Sequence, residues 1–293
     1  MASRLPTSNT HALSVWKPVC SVLCLLVALF AQGCSSPGAR VDQAAAEFGF
    51  KRELIQGTKF LHVVYRNDSV RESGLLHIYL EGDGSPYLDR RRVSRDPTPR
   101  NPLMLRLMAL DPEPSVYLAR PCYNGRAAAP PCKSALWTQA RYSAEVVDST
   151  VAATRRLLSQ RQKQELFLVG HSGGGTLAML MAAQLPETRA VITLAGNLDT
   201  DAWTQYHGYE PLHSSLNPAR RPPLDKHILQ LHLVGANDDN IPPHMLHRAT
   251  ETQWRARVST VEGFDHSCCW PQLWPIVLDT AVQAAKSGAW DGH

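Results

Sequence analysis

Ser172 is the residue whose surroundings point most directly to chemistry. It stands at the centre of a G-x-S-x-G pattern that runs from Gly170 to Gly174, between the apolar stretches 166–169 and 176–185. A serine on a sharp turn from a strand into a helix requires glycine two positions before and after it, because side chains there would collide. The pattern predicts a nucleophilic serine at a helix N-terminus, which has a partial positive charge.

A serine nucleophile needs a general base and a group that orients that base. In enzymes that use this turn, an acid and then a histidine follow the serine, each at the end of a later strand. Two later apolar segments lead here to Asp238-Asp239 and to His266. We expect acyl transfer in which His266 accepts the Ser172 proton and Asp238 orients the imidazole. Asp239 is the alternative acid, and both aspartates also suit an ordinary turn.

With these residues in this order, the chain resembles the α/β-hydrolase superfamily from about residue 58 to the C-terminus. The acid strand of that superfamily commonly ends G-x-x-D-x-x-[VI]-P, which is matched by Gly235, Asp238, Ile241 and Pro242. The histidine commonly follows a glycine in the last loop, as His266 follows Gly263. The resemblance implies a serine hydrolase with a catalytic triad. His171, inside the serine turn, is expected to pack rather than react.

Acyl transfer also requires two backbone N–H donors for the oxyanion. Gly173, directly after the nucleophile, is the expected first donor. The second is expected after the strand at 75–80, where many relatives have His-Gly-x and this chain has Glu81-Gly82-Asp83. The Asp83 amide takes that role with its side chain turned away, and the Gly84 amide is the alternative. A glycine-rich turn without function is the other interpretation.

The sequence predicts an α/β fold in which strands and helices alternate. The expected strands are 60–65, 75–80, 115–120, 166–169, 190–194, 228–234 and 258–261. The expected helices are 102–110, 143–159, 176–185, 244–254 and 273–286. This alternation favours a mostly parallel sheet with helices on both faces and a site at the carboxyl ends of the strands. The first two strands are too close for a crossover helix, so we expect an antiparallel hairpin through 66–68.

The segment 197–225 interrupts this alternation and contains Trp203, Tyr206, Tyr209 and several prolines. A cap is commonly inserted at this point in α/β hydrolases, so the segment is a candidate cap that lines the substrate pocket. An irregular surface loop that packs its aromatic rings on the domain is the equal alternative.

The N-terminus has the features of an export signal. Arg4 and Lys17 precede an apolar stretch at 19–31 that is too short for a stable membrane span. The ending before Cys34 resembles a bacterial lipobox, which implies cleavage, lipidation of Cys34 and an anchor on the periplasmic face of the outer membrane. An ordinary secretory signal is the alternative. The domains are then a signal peptide at 1–33, a tether and lead-in at 34–57, and a hydrolase domain at 58–293.

Cysteine usage agrees with an oxidising compartment. Without the signal peptide and Cys34, four of the seven cysteines remain. We expect a disulfide between Cys122 and Cys132, which would close a short loop. Cys268 and Cys269 follow His266 closely and could hold its loop, although adjacent cysteines rarely pair with each other, and the sequence leaves their connectivity open.

Charge and composition bound the remaining function classes. The formal net charge of +4 gives no indication of nucleic acid binding. The basic run Arg90–Arg95 is either a solvated loop or a receptor for anionic groups beside the oxyanion loop. No cofactor or metal is indicated, and we expect a monomer acting on a small-molecule or lipid-like acyl substrate. A catalytically silent envelope scaffold and a non-hydrolytic enzyme on the same fold are the alternatives.

Overall fold

The computed structural model describes residues 36–67, 74–89, 91–160 and 164–287, together with Met1. The chain divides into two units, Met1–Ser36 and Pro37–His293. Every helix and strand named below lies in the second unit. Cys34 and the predicted signal peptide, apart from Met1, lie outside the described residues.

The described part of the chain forms one eight-stranded sheet. Its strands are β1 (Lys51–Gln56), β2 (Leu61–Asn67), β3 (Leu75–Leu80), β4 (Ser115–Leu118), β5 (Glu165–His171), β6 (Thr188–Leu194), β7 (Leu229–Gly235) and β8 (Ala256–Val261). The order across the sheet is β1-β2-β4-β3-β5-β6-β7-β8. The two pairs made by β2, with β1 and with β4, are antiparallel, and all other neighbours are parallel.

Helices cover both faces of this sheet. They are α1 (Pro37–Glu47), α2 (Leu103–Met108), α3 (Ala144–Ser159), α4 (Gly173–Ala182), α5 (Thr200–His207), α6 (Pro243–Thr250) and α7 (Trp270–Ser287). Apolar side chains of α3 and α4 belong to the core on one face, and those of α1, α2 and α7 belong to the core on the other. In β5, Leu166 and Leu168 join the first core, whereas Phe167 and Val169 join the second, because successive side chains of a strand point to opposite faces.

The predicted α/β architecture is confirmed, but the predicted hairpin of the first two expected strands is wrong. β2 pairs with β1 and β4, and β3 lies between β4 and β5. The sequence prediction missed β1 because its residues are mostly polar: it is an edge strand in which only Ile55 is buried. Once β1 occupies one edge of β2, the other edge is available to β4.

The folded domain begins earlier than residue 58. The expected tether includes α1, whose Val41 and Ala45 are buried in the core. Asp42 fixes this helix to the sheet, because its Oδ1 accepts a hydrogen bond from Tyr65 (2.6 Å) and one from Arg52 (2.9 Å). The lead-in at 34–57 is therefore corrected from Pro37 onward to a helix and an edge strand.

Two disulfides lie in the described residues. Cys122 and Cys132 are bonded as predicted, with Cα atoms 5.6 Å apart. Cys268 and Cys269 are bonded to each other, contrary to the expectation for adjacent cysteines. Among the described residues, none of the helices has the length and apolar character needed to cross a membrane.

Candidate active site

Ser172 stands between β5 and α4 in a strained backbone conformation. Its φ of 51° and ψ of −119° lie in a region that residues other than glycine seldom adopt. Three hydrogen bonds hold the conformation: the Ser172 amide donates to Leu194 (3.0 Å), and its carbonyl accepts from Gly175 (3.0 Å) and Asn197 (3.1 Å). Strain that is maintained in this way is found preferentially at functional sites.

The glycines around Ser172 are required by close packing. A Cβ on Gly170 would overlap the carbonyl of Gly174, and a Cβ on Gly174 would overlap the carbonyl of Leu80. A Cβ on Gly82 would lie 3.3 Å from the Cβ of Ser172, so the loop after β3 passes directly beside this serine. The spacing of the motif thus has the steric cause that the sequence predicts.

Asp238 and His266 meet at the carboxyl ends of β7 and β8. His266 Nδ1 lies 2.9 Å from Oδ2 of Asp238, which is 3% exposed. The amides of Asn240 and Ile241 donate to Asp238 Oδ1 over 2.9 and 2.8 Å and fix the carboxylate. Asp239, the alternative acid, is exposed, and the His266 ring bonds to Asp238 and Asn240.

The loops that bear the acid and the histidine are joined through their backbones. A Cβ on Gly235 would overlap the carbonyl of Phe264, and the Asn237 amide donates to that same carbonyl over 2.9 Å. Beyond the histidine, the amides of Ser267 and Cys268 both donate to Asp265 Oδ1 over 2.7 Å. These two bonds hold the pKa of Asp265 below its usual value. The His266 loop is therefore fixed on both sides.

His171 holds the histidine loop from the nucleophile side. Its Nε2 donates to the carbonyl of His266 over 2.8 Å, and its ring centroid lies 4.9 Å from that of His266. Its Nδ1 is 3.8 Å from Glu81 Oε1. Glu81 is buried, and its Oε2 accepts the Met104 amide at the start of α2. His171 therefore packs as expected, and it also connects the nucleophile turn to the His266 loop.

The Asp83 side chain is held by a clamp that the sequence analysis missed. Its carboxylate accepts hydrogen bonds from Arg120, from Arg141 (2.7 Å) and from the Tyr142 hydroxyl (2.8 Å). Its backbone carbonyl accepts one from the Tyr123 hydroxyl (3.0 Å). Burial by itself would raise the pKa of Asp83, but the charges of Arg141 and Arg120 outweigh it and hold the pKa well below its usual value. Asp83 is therefore an anion with a fixed position.

The clamp fixes the backbone where the second oxyanion donor is expected. Gly173 is the first residue of α4, so its amide is one of the four that lack a partner within the helix. A Cβ on Gly173 would overlap the Asp83 carboxylate and the Tyr142 hydroxyl. The Asp83 side chain thus packs beside Gly173 and neutralises the charges of Arg120 and Arg141. These contacts fix the conformation of the loop 81–84 next to Ser172.

A cleft of about 830 Å³ opens onto these residues. Ser172 and His266 lie in its wall, together with Asp83 and Gly84 of the loop after β3. The candidate cap segment contributes Trp203, His207, Tyr209 and Leu212 to the lining. The segment 197–225 therefore lines the cleft and contains α5, whose N-terminus is capped by Asp199.

The described arginines of the basic run, Arg91, Arg92 and Arg95, are exposed. Asp89 Oδ1 accepts the amides of Arg91 and Arg92 over 2.9 Å, and its Oδ2 pairs with the Arg92 guanidinium (2.6 Å). Arg90 lies outside the described residues. The described arginines of this run agree with a solvated turn, and Asp89, which precedes the run, is part of the cleft lining.

The described residues contain no group of three or more His, Cys, Asp or Glu side chains that could hold a metal ion. Two groups of charged and polar side chains lie at the cleft: Asp238 with His266, and Asp83 with Arg120, Arg141 and Tyr142. This arrangement suits proton transfer and charge stabilisation by the protein's own groups.

The chain has the α/β-hydrolase fold. The esterase of Pyrococcus furiosus superposes with a TM-score of 0.58 at 13% identity, over 89% of this chain and 96% of the esterase. A bacterial membrane phospholipase A gives 0.57 at 13% identity, over 94% and 100%. An α/β serine hydrolase without a lid from Xanthomonas campestris gives 0.51 at 14% identity, over 83% and 97%.

A protein-family model adds a match within this fold. The model Lipase (class 3) matches residues 126–195, which include α3, β5 and the nucleophile turn. Comparison with curated proteins gives no match. The fold is therefore that of lipase-like and esterase-like hydrolases.

Proposed function

We propose that this protein is a serine hydrolase that cleaves a carboxylic ester, or the related thioester or amide, through Ser172, Asp238 and His266. One observation carries the proposal: a serine held at a strained strand-to-helix turn shares a cleft with a histidine bonded to a buried aspartate. The Lipase (class 3) match over the nucleophile turn favours an ester as the bond that is cleaved.

The geometry supports a two-step reaction with an acyl-enzyme. His266 Nδ1 donates to Asp238, so Nε2 of the neutral ring is a base that can accept the Ser172 proton. Ser172 Oγ then forms a bond to the substrate carbonyl carbon, and the carbonyl π electrons move to the oxygen. When the tetrahedral intermediate collapses, His266 returns the proton to the leaving group. Water activated by His266 then hydrolyses the acyl-enzyme.

The developing oxyanion requires donors fixed before the reaction begins. The Gly173 amide at the N-terminus of α4 is the first donor, and the Asp83 amide is the second, with Gly84 as the alternative. The Arg120, Arg141 and Tyr142 contacts keep this loop in one conformation. A loop fixed in this way loses little free energy to reorganisation when the oxyanion forms.

The lining of the cleft supports an acyl substrate with an apolar part. Trp203, Tyr209 and Leu212 provide apolar surface on the cap side, whereas the oxyanion loop provides polar groups on the other. Pockets of this kind orient a ligand with few polar contacts and bind the remainder by burial. We propose a small-molecule or lipid-like acyl compound as the substrate.

Burst kinetics with a p-nitrophenyl ester test this function. The wild-type domain is expected to release about one equivalent of p-nitrophenol rapidly before steady turnover, because acylation by this activated ester is faster than deacylation. Ser172→Ala should abolish both phases while the domain stays folded. Ser85→Ala, which removes another hydroxyl from the cleft lining, is the matched control and should retain the burst. Equal activity of wild type and Ser172→Ala would contradict the proposal.

The proposal also places the protein, as a monomer, on the periplasmic face of a bacterial outer membrane through a lipid on Cys34. Its support is the sequence before Cys34, which resembles a lipobox. Cys34→Ser is expected to prevent incorporation of radiolabelled palmitate and to release the protein from the membrane fraction. Ser35→Ala is the control. Unchanged membrane association of Cys34→Ser would contradict the anchor without bearing on the hydrolase.

A further inference from the structure

Asn240 makes four hydrogen bonds, which connect the candidate base and acid to the cap segment. Its amide nitrogen Nδ2 lies 3.0 Å from His266 Nε2, and its Oδ1 accepts the Trp203 indole N–H over 3.1 Å. Its backbone carbonyl accepts from His207 Nε2 (2.9 Å), and its backbone amide donates to Asp238 Oδ1 (2.9 Å). Asn240 therefore contacts the acid, the base and two residues of α5.

The Trp203 contact determines which way the Asn240 amide faces. An indole N–H is a donor only, so the atom of Asn240 opposite Trp203 must be the oxygen. The Asn240 NH2 group consequently faces His266 and donates to Nε2. A donor opposite Nε2 requires a lone pair there, which agrees with the tautomer that has its proton on Nδ1 and donates to Asp238.

This contact has a consequence for the nucleophile. A neutral imidazole has one lone pair on its acceptor nitrogen, and Asn240 uses it. Among the described residues, no hydrogen bond joins Ser172 Oγ to His266 Nε2. Proton transfer from Ser172 requires that nitrogen, so the Asn240 amide must first move away from it.

We propose that Asn240 is a positioning residue that keeps His266 in the correct tautomer at rest and releases its Nε2 to Ser172 when a ligand displaces Trp203. The proposal rests on the proposed roles of Ser172 and His266. The bridge formed by Trp203, Asn240 and His266, named here the Asn240 bridge, couples occupancy of the cleft to activation of the serine.

The surroundings of Trp203 suit this role. Trp203 and Asn240 both line the cleft, so a substrate can reach the indole and the bridge together. The Trp203 ring lies 5.2 Å from the ring of Tyr209, and the Arg141 guanidinium lies 6.0 Å from its centre. A ligand that packs against this indole can weaken the hydrogen bond from the indole N–H to Asn240 without unfolding α5.

The test measures the second-order rate of inactivation by a small fluorophosphonate, a probe too short to fill the cleft. Asn240→Ala removes the bridge, and Trp203→Phe keeps an aromatic ring but removes the N–H donor. Both should react about two- to tenfold faster than wild type, which corresponds to the net contribution of one hydrogen bond. The inactivation rate of the double variant should be no higher than that of Asn240→Ala alone, because both changes break the same Asn240 bridge.

Tyr206→Phe is the matched control, since Tyr206 lies on α5, is exposed and is not part of the Asn240 bridge or the cleft lining. Its inactivation rate should equal that of wild type. A residue that merely stabilised the structure would lower the rate when replaced, so the gain in rate is the decisive readout. Substrate KM for a short ester should change less than kcat.

Two contrary results have different meanings. Absence of reaction in wild type overturns the proposed hydrolase and this inference with it. Reaction of wild type at Ser172, with rates that are unchanged or lower in folded Trp203→Phe and Asn240→Ala, overturns only the Asn240 bridge. If Asn240→Ala fails to fold, Trp203→Phe decides the question alone.

Discussion

Asp238 Oδ2 and His266 Nδ1 lie 2.9 Å apart although 28 positions separate the two residues in the chain. The two parallel strands β7 and β8 make this possible, because their carboxyl ends meet at one edge of the sheet. Asp239, the next residue, is exposed. Of these two adjacent aspartates, Asp238 is the one that is buried and bonded to His266, and this contact supports its proposed role as the acid.

Replacement of Asp238 is the first test of this relationship. Asp238→Asn keeps the size of the side chain but presents an amide to His266 Nδ1 and favours the wrong tautomer. We expect kcat for a p-nitrophenyl ester to fall about 10³- to 10⁴-fold. Asp239→Asn, the matched control, should retain wild-type kcat. If kcat falls further in Asp239→Asn than in Asp238→Asn, Asp239 is the acid.

The Asp83 clamp is predicted to stabilise the fold as well as the oxyanion loop. Asp83→Asn would leave Arg120 and Arg141 buried without their counter-ion, and breaking a buried pair on one side costs about 3–5 kcal/mol. Urea denaturation should show this decrease in the free energy of unfolding. Asp89→Asn removes the carboxylate that pairs with exposed Arg92 and should leave the denaturation midpoint unchanged. Equal midpoints for wild type and Asp83→Asn would contradict the clamp.

How much of this site the sequence predicts depends on how far apart its parts lie. The residues from Gly170 to Gly174 are consecutive, so their spacing alone predicts the turn that bears Ser172. The partners of Asp83 lie 37 and 58 positions away, at Arg120 and Arg141, and no local pattern links them. Asn240 looks like a turn residue in sequence, and its contacts with Trp203 and His266 exist only after folding.

The strands of the sheet differ in how clearly their sequences predict them. β5 and β6 are apolar over most of their length because helices cover both of their faces, and their pattern is strong. β1 lies at the edge of the sheet and buries one residue, so its sequence resembles that of a loop. β2 pairs with this strand and with β4, so the predicted hairpin between β2 and β3 does not form.

Two buried histidines predict a loss of stability in mild acid. Burial lowers the pKa of His62 to about 4 and that of His232 to about 3, whereas both are near 6.5 in the unfolded chain. The unfolded state therefore binds more protons below pH 6.5, and the free energy of unfolding falls as pH decreases from about 6.5 toward 4. Each histidine contributes at most about 1.4 kcal/mol per pH unit.

Urea denaturation at a series of pH values measures this slope. His232→Asn retains a polar group near Thr193, which bonds to His232 Nδ1 over 2.8 Å. Its slope between pH 6.5 and 4 should be smaller than that of wild type, whatever its stability at pH 7. His213→Asn, at an exposed position, is the control and should keep the wild-type slope. Identical slopes for wild type and His232→Asn would contradict the prediction.

The Cys122–Cys132 disulfide closes a short loop beside the core. Its sequence separation of 10 residues corresponds to about 2–3 kcal/mol of stabilisation in the chain-entropy description. The double variant Cys122→Ser/Cys132→Ser should lose this amount in urea denaturation under oxidising conditions. Adding a reducing agent should have little further effect on the stability of this double variant. Unchanged stability of the double variant would contradict the prediction.

Covalent labelling tests most directly whether Ser172 is an activated nucleophile. The domain is treated with a fluorophosphonate and the modified residue is located by peptide mass spectrometry, with Ser172→Ala and Ser85→Ala treated in parallel. We predict one adduct on Ser172, retained in Ser85→Ala and missing from Ser172→Ala. A folded, oxidised wild-type domain that takes up no label, or takes it up on another residue, would contradict the hydrolase and favour a catalytically silent envelope scaffold.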